Sequence, residues 1–397
     1  MDTGISIDSL IARLRSIQKE APGDRYSRRR LYDATQAMAA ELEDPIDSIY
    51  RIGFAPLQLA MAKLGSNLGL FELLQTSRVP LKTDVLAEKT GVDFVLLRRI
   101  LRYLASVGMI EETETDTFGA SKLTSNLTNP QAKASLGWFL DLCAPALNKI
   151  PDFLAATNYH NPSDGLNSAF HMGHDTTEHP FAFIMKHPYH LENMNKWMSF
   201  QREGCNQWLD RFDFKAEVCH GGDVVPEEPL FVDIGGGIGH QCRLFQERLP
   251  DISGIGRIIL QDQSHVLEQA LPLPNAQKMS YDFWTPQPVK GARAYYMRGI
   301  LHDWGDAQCV EIIRQIIPAM STNSVLLVDE MVLPEARAHW LATHMDLAML
   351  GLAAAMERTK RHWESLLDAA GMRILGIHEY NKEFGDSILV AVPKVIK

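Results

Sequence analysis

The 397-residue chain is poor in three things, and each shortage narrows what it can be. Its five cysteines (Cys143, Cys205, Cys219, Cys242, Cys309) are odd in number and scattered, with no Cys-x-x-Cys pair, which argues against a disulfide framework and a zinc knuckle. They read as small buried hydrophobes. There is no apolar run of the roughly 20 residues that span a bilayer. Asp2 and Asp8 stand where an export signal would be basic and then apolar, so a cytoplasmic protein with no membrane contact is expected. Positive charge is also short. Lys plus Arg number 39 against 49 Asp plus Glu, a net charge of -10, and a surface for nucleic acid would have to be built against that field.

What is present is a globular composition, 46% hydrophobic and 22% charged, in a chain long enough for two cores. Ile7, Leu10, Ile11, Leu14 and Ile17 recur at three- and four-residue spacing, laying one apolar stripe on a helix that Ser6 can cap. The Arg28–Arg30 run that follows reads as a solvated face. From Asp44 to Thr128 short helices are broken by turns. Thr83 opens a helix that Gly91 ends, and Asp93 caps a second running from Phe94 to Val107. Met109–Ile110 and Thr117–Leu123 then flank an acidic turn like the arms of a hairpin. Helix, helix and hairpin together predict a winged helix. Arg98, Arg99 and Arg102 lie where such a module would read DNA, but Glu111, Glu112, Glu114 and Asp116 on the wing would repel phosphates, so a protein-interaction role is favoured.

The stretch 137–204 is apolar and aromatic and holds six of the fourteen histidines (His160, His171, His174, His179, His187, His190). Interleaved Pro and Gly and the lack of a His-x-x-x-His pair argue against a metal site, so none is expected. Residues 218–229, with Gly221 and Gly222, read as a connection. Beyond it strand and helix alternate, with strands expected at 230–234, 257–261, 277–281, 294–297, 325–328, 373–377 and 387–392. Such alternation predicts a doubly wound α/β sheet with its ligand at the carboxyl ends of the strands.

The strongest local motif is Phe231-Val-Asp233-Ile-Gly235-Gly-Gly237-Ile-Gly239, an apolar strand entering a glycine turn and then a helix, where a ligand can approach the backbone closely. A dinucleotide fingerprint would place Gly at position 240, where His240 stands. Asp262 follows the second strand, and there a carboxylate can accept both hydroxyls of a ribose. Asp282 and Phe283 follow the third, able to accept from an adenine amino group and to pack on its ring.

These residues, with Met297-Arg298, His302-Asp303-Trp304, Asp329-Glu330, Pro334 and Glu357-Arg358-Thr359, resemble in order and spacing the S-adenosylmethionine-dependent O-methyltransferases of the caffeate and flavonoid type and their fungal natural-product relatives. The resemblance runs over about the last 170 residues, and the winged helix and methionine-rich middle match in kind. It implies a seven-stranded Rossmann-like domain over 218–397, a helical acceptor-pocket and linker region over 136–217, and a winged-helix dimerisation domain over 1–135 that makes the protein a homodimer. S-adenosyl-L-methionine is the implied cofactor, with Asp233, Gly235 and Gly237 at its methionine part, Asp262 at the ribose, and Asp282, Phe283 and Arg298 at the adenine side. Many plant members have Lys at the Arg298 position, and often a basic residue at Met356; the former departure points to a fungal-type branch. Met194, Trp197, Met198, Gln201 and Met349 match positions lining the acceptor pocket.

The chemistry the resemblance implies is coherent. A phenol with a pKa near ~10 is about one part in a thousand phenolate at neutral pH, so a base is needed. His302 is placed to be that base, with Asp303, Glu330 and Glu357 as the carboxylates that orient the imidazole and stabilise it once protonated. The expected reaction is O-methylation of a phenolic or enolic hydroxyl on an aromatic, polyketide-type small molecule. Two alternatives stand beside it: a non-methylating cyclase, pericyclase or dehydratase that uses the cofactor's positive charge, and a winged-helix regulator that senses a small ligand.

Overall fold

The computed structural model describes residues 6–19, 23–219 and 225–394. The glycine-rich stretch 220–224, read above as a connection, and Asp2 lie outside them. The chain divides into two compact units: Met1–Leu136 with Ser199–Gly204, and Gly137–Met198 with Cys205–Lys397. Within the middle region expected at 136–217, residues 137–198 and 205–217 cluster with the sheet and 199–204 with the first unit.

In the first unit the capping residues act as their types dictate. Ser6 accepts from Ser9 N at 3.2 Å, and Asp93 accepts from Leu96 N at 2.9 Å to start the helix Phe94–Ser106. That helix buries Leu97, Ile100, Leu101 and Leu104 against Leu70, Phe71, Leu74 and Leu86. The hairpin is Ile110–Glu114 with Thr117–Ala120, and Leu81–Lys82 joins its second arm. This arm stops at Ala120 rather than reaching Leu123, because Ser121 and Thr124 cap each other's backbone N–H groups and turn the chain into the helix Lys122–Leu127. Arg98 pairs with Asp116 at the hairpin tip, 2.5 Å apart. Ile46, Ile49, Tyr50, Ile52 and Phe54, on and just after the helix Pro45–Gly53, are all more than half exposed.

The second unit is built on a mixed sheet. Its strands are β1 (Pro229–Ile234), β2 (Arg257–Asp262), β3 (Ala276–Ser280), β4 (Ala294–Arg298), β5 (Val325–Leu333), β6 (Met372–Asn381) and β7 (Asp386–Pro393), in the order β6-β7-β5-β4-β1-β2-β3. Only β7 runs against its neighbours, and a two-residue eighth strand, Arg358–Thr359, pairs with the end of β5. Both faces are covered, as a mostly parallel sheet requires. Val232, Ile234, Tyr295, Met297, Leu326 and Val328 pack on the helices Asp306–Ile316 and Lys360–Ala370. Phe231, Tyr296, Leu327 and Ile388 point the other way, onto Trp208, Phe214 and Phe245. β5 is longer than the expected 325–328, so Glu330 lies inside the strand, paired with Ser387 of β7. β3 ends at Ser280, leaving Tyr281, Asp282 and Phe283 in the turn beyond it. The chain reverses strand order between β1 and β4, and the candidate residues gather at the carboxyl ends there.

Candidate active site

β1 runs into the glycine turn. Gly235 and Gly237 hold φ of 67° and 58°, a backbone state that side chains rarely adopt. Gly235 N and Gly236 N donate to Gln261 O, at 2.8 and 3.1 Å, which ties the turn to β2. Gly237 N donates to Asp262 Oδ2 at 2.8 Å, and Gln263 N donates to Oδ1 at 2.7 Å. Each carboxylate oxygen of Asp262 keeps a further lone pair, so the half-buried side chain can still accept two hydroxyls. A Cβ built on Gly237 would meet nothing within 4 Å, whereas one on Gly235 would strike Ile300 at 2.7 Å. The turn is thus packed from below and open above Gly237. Asp282 is exposed, with Oδ1 accepting from Trp284 N at 3.1 Å, and Phe283 beside it is half-buried. The rings of Trp284 and Trp304 meet edge to face at 4.9 Å. A nucleoside with a charged, flexible tail fits this set: an open glycine cradle, a ribose acceptor and an adenine acceptor with an adjacent ring.

Two of the residues expected at the cofactor have partners within the protein. Asp233 is buried at 1% exposure under the turn, where burial pushes its carboxyl up to about 7 and Cys242 Sγ donates to it at 3.5 Å. Its Oδ2 would be 2.5 Å from a Cβ on Gly236, so it supports the turn from beneath and requires glycine there. Arg298 Nε lies 3.6 Å from Asp329 Oδ2 on β5. Asp329 also accepts from the hydroxyls of Tyr296 and Tyr380. Arg298 thus has a partner on β5, while its charge also acts on Asp233 and His240 at the glycine turn.

β4 delivers the third element. After Gly299, at φ 58°, the chain makes one tight turn, Leu301–Asp303. His302 Nδ1 meets Glu357 Oε1 at 2.8 Å, and its Nε2 lies 3.5 Å from Asp303 Oδ1. Glu330 is within 4.8 Å of this pair, but its hydrogen bonds go elsewhere: Oε1 accepts from Ile300 N at 2.9 Å and Leu301 N at 2.8 Å. Glu330 thus holds the main chain that carries His302, while Glu357 orients the ring. Burial by itself would lower the imidazole pKa, but Glu357, then Asp303 and Glu330, outweigh it and hold it well above the ordinary value. Burial lifts Glu330 to about 7 and Asp303 to about 6. His302, Glu330 and Glu357 are the one His/Cys/Asp/Glu group with metal-holding spacing among the described residues, and Glu357 and Glu330 spend their oxygens on the His302 ring and on backbone amides.

Sequence reasoning gave no role in the site to three supporting residues. Asp346 accepts from Glu357 N at 2.9 Å, His179 stacks on Trp304 at 5.7 Å, and Arg358 lies against the turn that bears His302. Only Arg358 carried a signal, its place beside Glu357. Of the residues matched to an acceptor pocket, Met194 packs on a cluster of Leu142, Ala146, Phe170 and Ile184. Trp197 sits edge-on to Phe139 at 4.8 Å, Met198 is 55% exposed, and Met349 is half-buried. Gln201 falls in the segment Ser199–Gly204, which clusters with the first unit. Two of the middle histidines bond to main-chain carbonyls, His174 Nε2 to Leu142 O at 2.8 Å and His187 Nδ1 to Phe183 O at 2.7 Å.

The fold and this site define a Rossmann-like methyltransferase. Residues 223–373 match an O-methyltransferase domain and residues 60–129 an O-methyltransferase dimerisation domain. The O-methyltransferase ucdC of Aspergillus ustus is 36% identical, over 92% of this chain and 94% of that one. Demethylsterigmatocystin 6-O-methyltransferase of Aspergillus parasiticus is 33% identical over 99% of each. Among solved structures, a LepI complex with SAM superposes with a TM-score of 0.90 at 33% identity, covering 98% of this chain and 100% of that one. A chain described as a pericyclic reaction enzyme does so at 0.89 and 33%, with the same coverage. The chain belongs to the S-adenosylmethionine-dependent O-methyltransferases of fungal secondary metabolism. No helix among the described residues is long and apolar enough to cross a membrane.

Proposed function

We propose that this enzyme methylates a phenolic or enolic hydroxyl of an aromatic, polyketide-type small molecule, with His302 as the general base. The observation that supports the reading is the contact of His302 Nδ1 with the buried Glu357, which leaves Nε2, with Asp303 Oδ1 3.5 Å away, as the ring nitrogen for an acceptor hydroxyl. S-adenosylmethionine supplies a methyl group on a sulfonium, already joined to a good leaving group. Asp262 would hold the ribose, Asp282 and Phe283 the adenine, and the glycine turn, open above Gly237, would give room to the tail. His302 takes the hydroxyl proton at Nε2, and Glu357 stabilises the resulting imidazolium through Nδ1. The rest of the rate comes from positioning, since no covalent enzyme intermediate is required.

The acceptor lies against Met194, Trp197, Met198 and Met349, whose thioether and indole surfaces suit a flat ring. The exposed apolar residues around Ile49 form the contact of a homodimer, and the ion pair of Arg98 with Asp116 on an acidic wing favours a protein over a nucleic-acid partner. A second reading, cofactor-assisted pericyclic chemistry without methyl transfer, is favoured by the likeness to the pericyclic reaction enzyme. Incubation with methyl-labelled cofactor and a panel of phenols separates the two: label appears in product under the first reading, and substrate turns over unlabelled under the second. His302→Ala is expected to keep cofactor binding and lose about 100-fold or more in rate. Undiminished transfer by that variant refutes the assignment of the base.

A further inference from the structure

Arg358 is fully buried, with a side-chain exposure of 0%. Burying a guanidinium costs several kcal/mol unless its donors are met, and the carboxylate it pairs with, Asp306, is itself 49% exposed. Asp306 also has another partner, His362 Nε2, at 2.7 Å. A simple ion pair could have formed at the surface. The other contacts of Arg358 explain its depth. Nη1 donates to Leu301 O at 3.0 Å, Nη2 to Trp304 O at 2.7 Å, and Nε to Asp306 Oδ1 at 3.0 Å. The two carbonyls bracket His302 and Asp303. The plane of the guanidinium is backed by Trp363, 5.2 Å away, and Cys309 Sγ adds weak bonds to the same two carbonyls.

The amides of the turn, at Ile300 and Leu301, point to the Glu330 carboxylate, and its carbonyls, at Leu301 and Trp304, point to the Arg358 cation. An anion at the N–H end and a cation at the C=O end oppose the turn's own dipole in the stabilising sense. Both charges are fixed by β5. Glu330 is on it, and Arg358 pairs with its Val332 in the two-residue strand. Glu357 and Arg358 are consecutive at that strand's start, and the first reaches the imidazole while the second reaches the main chain beneath it.

We propose that Arg358 is a positioning residue of the O-methylation reaction, holding the 301–304 turn so that His302 stays seated on Glu357; this rests on the reading of His302 as the base. A lysine could not replace it, because one ammonium on a flexible stem cannot span two carbonyls and a carboxylate as a rigid planar fork does. The test uses the full chain with Arg358→Ala and Arg358→Lys. The hydrogen-bonded Nδ1 proton of His302 gives a far-downfield proton resonance, identified by its loss in His302→Gln. It reads the His302–Glu357 contact without any acceptor, and so separates failure of this inference from failure of the methyl-transfer reading.

In both Arg358 variants that resonance is expected to vanish or broaden, with kcat about 100-fold lower, since misplacement by ~1 Å costs that much. Cofactor affinity should stay within about twofold, because the glycine turn and Asp262 are untouched. Millimolar methylguanidinium should restore both the resonance and kcat in Arg358→Ala. Should Arg358→Ala fail to fold, Arg358→Lys, which keeps a cation beside Asp306, decides alone. A wild-type resonance and kcat in folded Arg358→Lys, or rescue of thermal stability by methylguanidinium without rescue of kcat, overturns the proposal.

Discussion

Glu357→Gln isolates the charge at the heart of the site. The amide keeps the shape of the side chain and an oxygen that can accept from His302 Nδ1, so the 2.8 Å contact survives while the carboxylate charge goes. Among the groups that raise the imidazole pKa against the effect of burial, Glu357 is the largest, ahead of Asp303 and Glu330. Coulomb's law at an effective dielectric of 20 gives up to about 6 kcal/mol for unit charges at this separation, an upper limit. Opposite charges at contact range shift pKa values by about 1–3 units, equivalent to roughly 1.4–4 kcal/mol. The base works only with its ring unprotonated, so the rate must rise with pH through the imidazole pKa. In the native enzyme that acid limb should lie above the ordinary histidine value of ~6.5. In Glu357→Gln it should move down by about 1–3 units. The plateau should fall as well, by about 100-fold, because the imidazolium formed during proton transfer loses its counter-charge. The variant is thus slower everywhere on the plateau yet keeps its activity to lower pH. Methyl transfer from labelled cofactor, measured from about pH 5 to about pH 10, gives both quantities. A limb that stays in place or moves upward refutes the role given to Glu357, and an unchanged plateau refutes the charge argument.

The other site carboxylate gives a stability prediction. Burial lifts Glu330 to about 7 from an ordinary value of 4.5, so the fold loses stability as pH rises between those values. Above that window the loss is complete and on the order of 3 kcal/mol. Glu330→Gln retains an oxygen for the amides of Ile300 and Leu301, so thermal melts should show it more stable than the native protein at about pH 8 and level with it at about pH 5. A variant no more stable at the higher pH contradicts this. On the helical unit, Ile49→Glu with Ile52→Glu places charges among residues that are 63% exposed in the single chain. It should convert a dimer to monomer in size-exclusion chromatography with light scattering, at unchanged circular dichroism. Dimer retained in the double variant removes that face from the interface.

How far the sequence carried the fold can be argued from β1 and β5. Residues 231–234 are a short apolar run ended by glycine, and a strand buried on both faces has no other way to read. Local pattern ends β5 early because Asp329 and Glu330 look like the polar end of a strand. They are instead 2% and 4% exposed inside it. Their burial depends on Tyr380, on the antiparallel pairing with β7, and on a turn from β4, all distant in sequence. Local pattern records none of these. The hairpin arm was read long for the converse reason, since Lys122-Leu123 continues the arm's sequence pattern until the Ser121 cap is known to turn it into a helix.

At the site, residue types were legible and contacts were not. His302, Glu330 and Glu357 could be picked out by their place in the motif set that resembles the O-methyltransferases. Nothing in their spacing says that Glu357 takes the ring and Glu330 the amides. The division follows from the sheet: Glu330 rises from a strand adjacent to β4 and so reaches the main chain that leaves it, whereas Glu357 arrives from the edge of β5 and meets the side chain. Arg358 was hidden more deeply, because two of its partners are main-chain carbonyls, which carry no residue identity. Asp233 shows a related ambiguity, since its carboxylate is buried under the glycine turn. A charged residue beside a glycine motif suggests a ligand, yet at the carboxyl ends of a sheet whose ligand is itself charged, some of those charges must lie beneath the turn and hold it in shape.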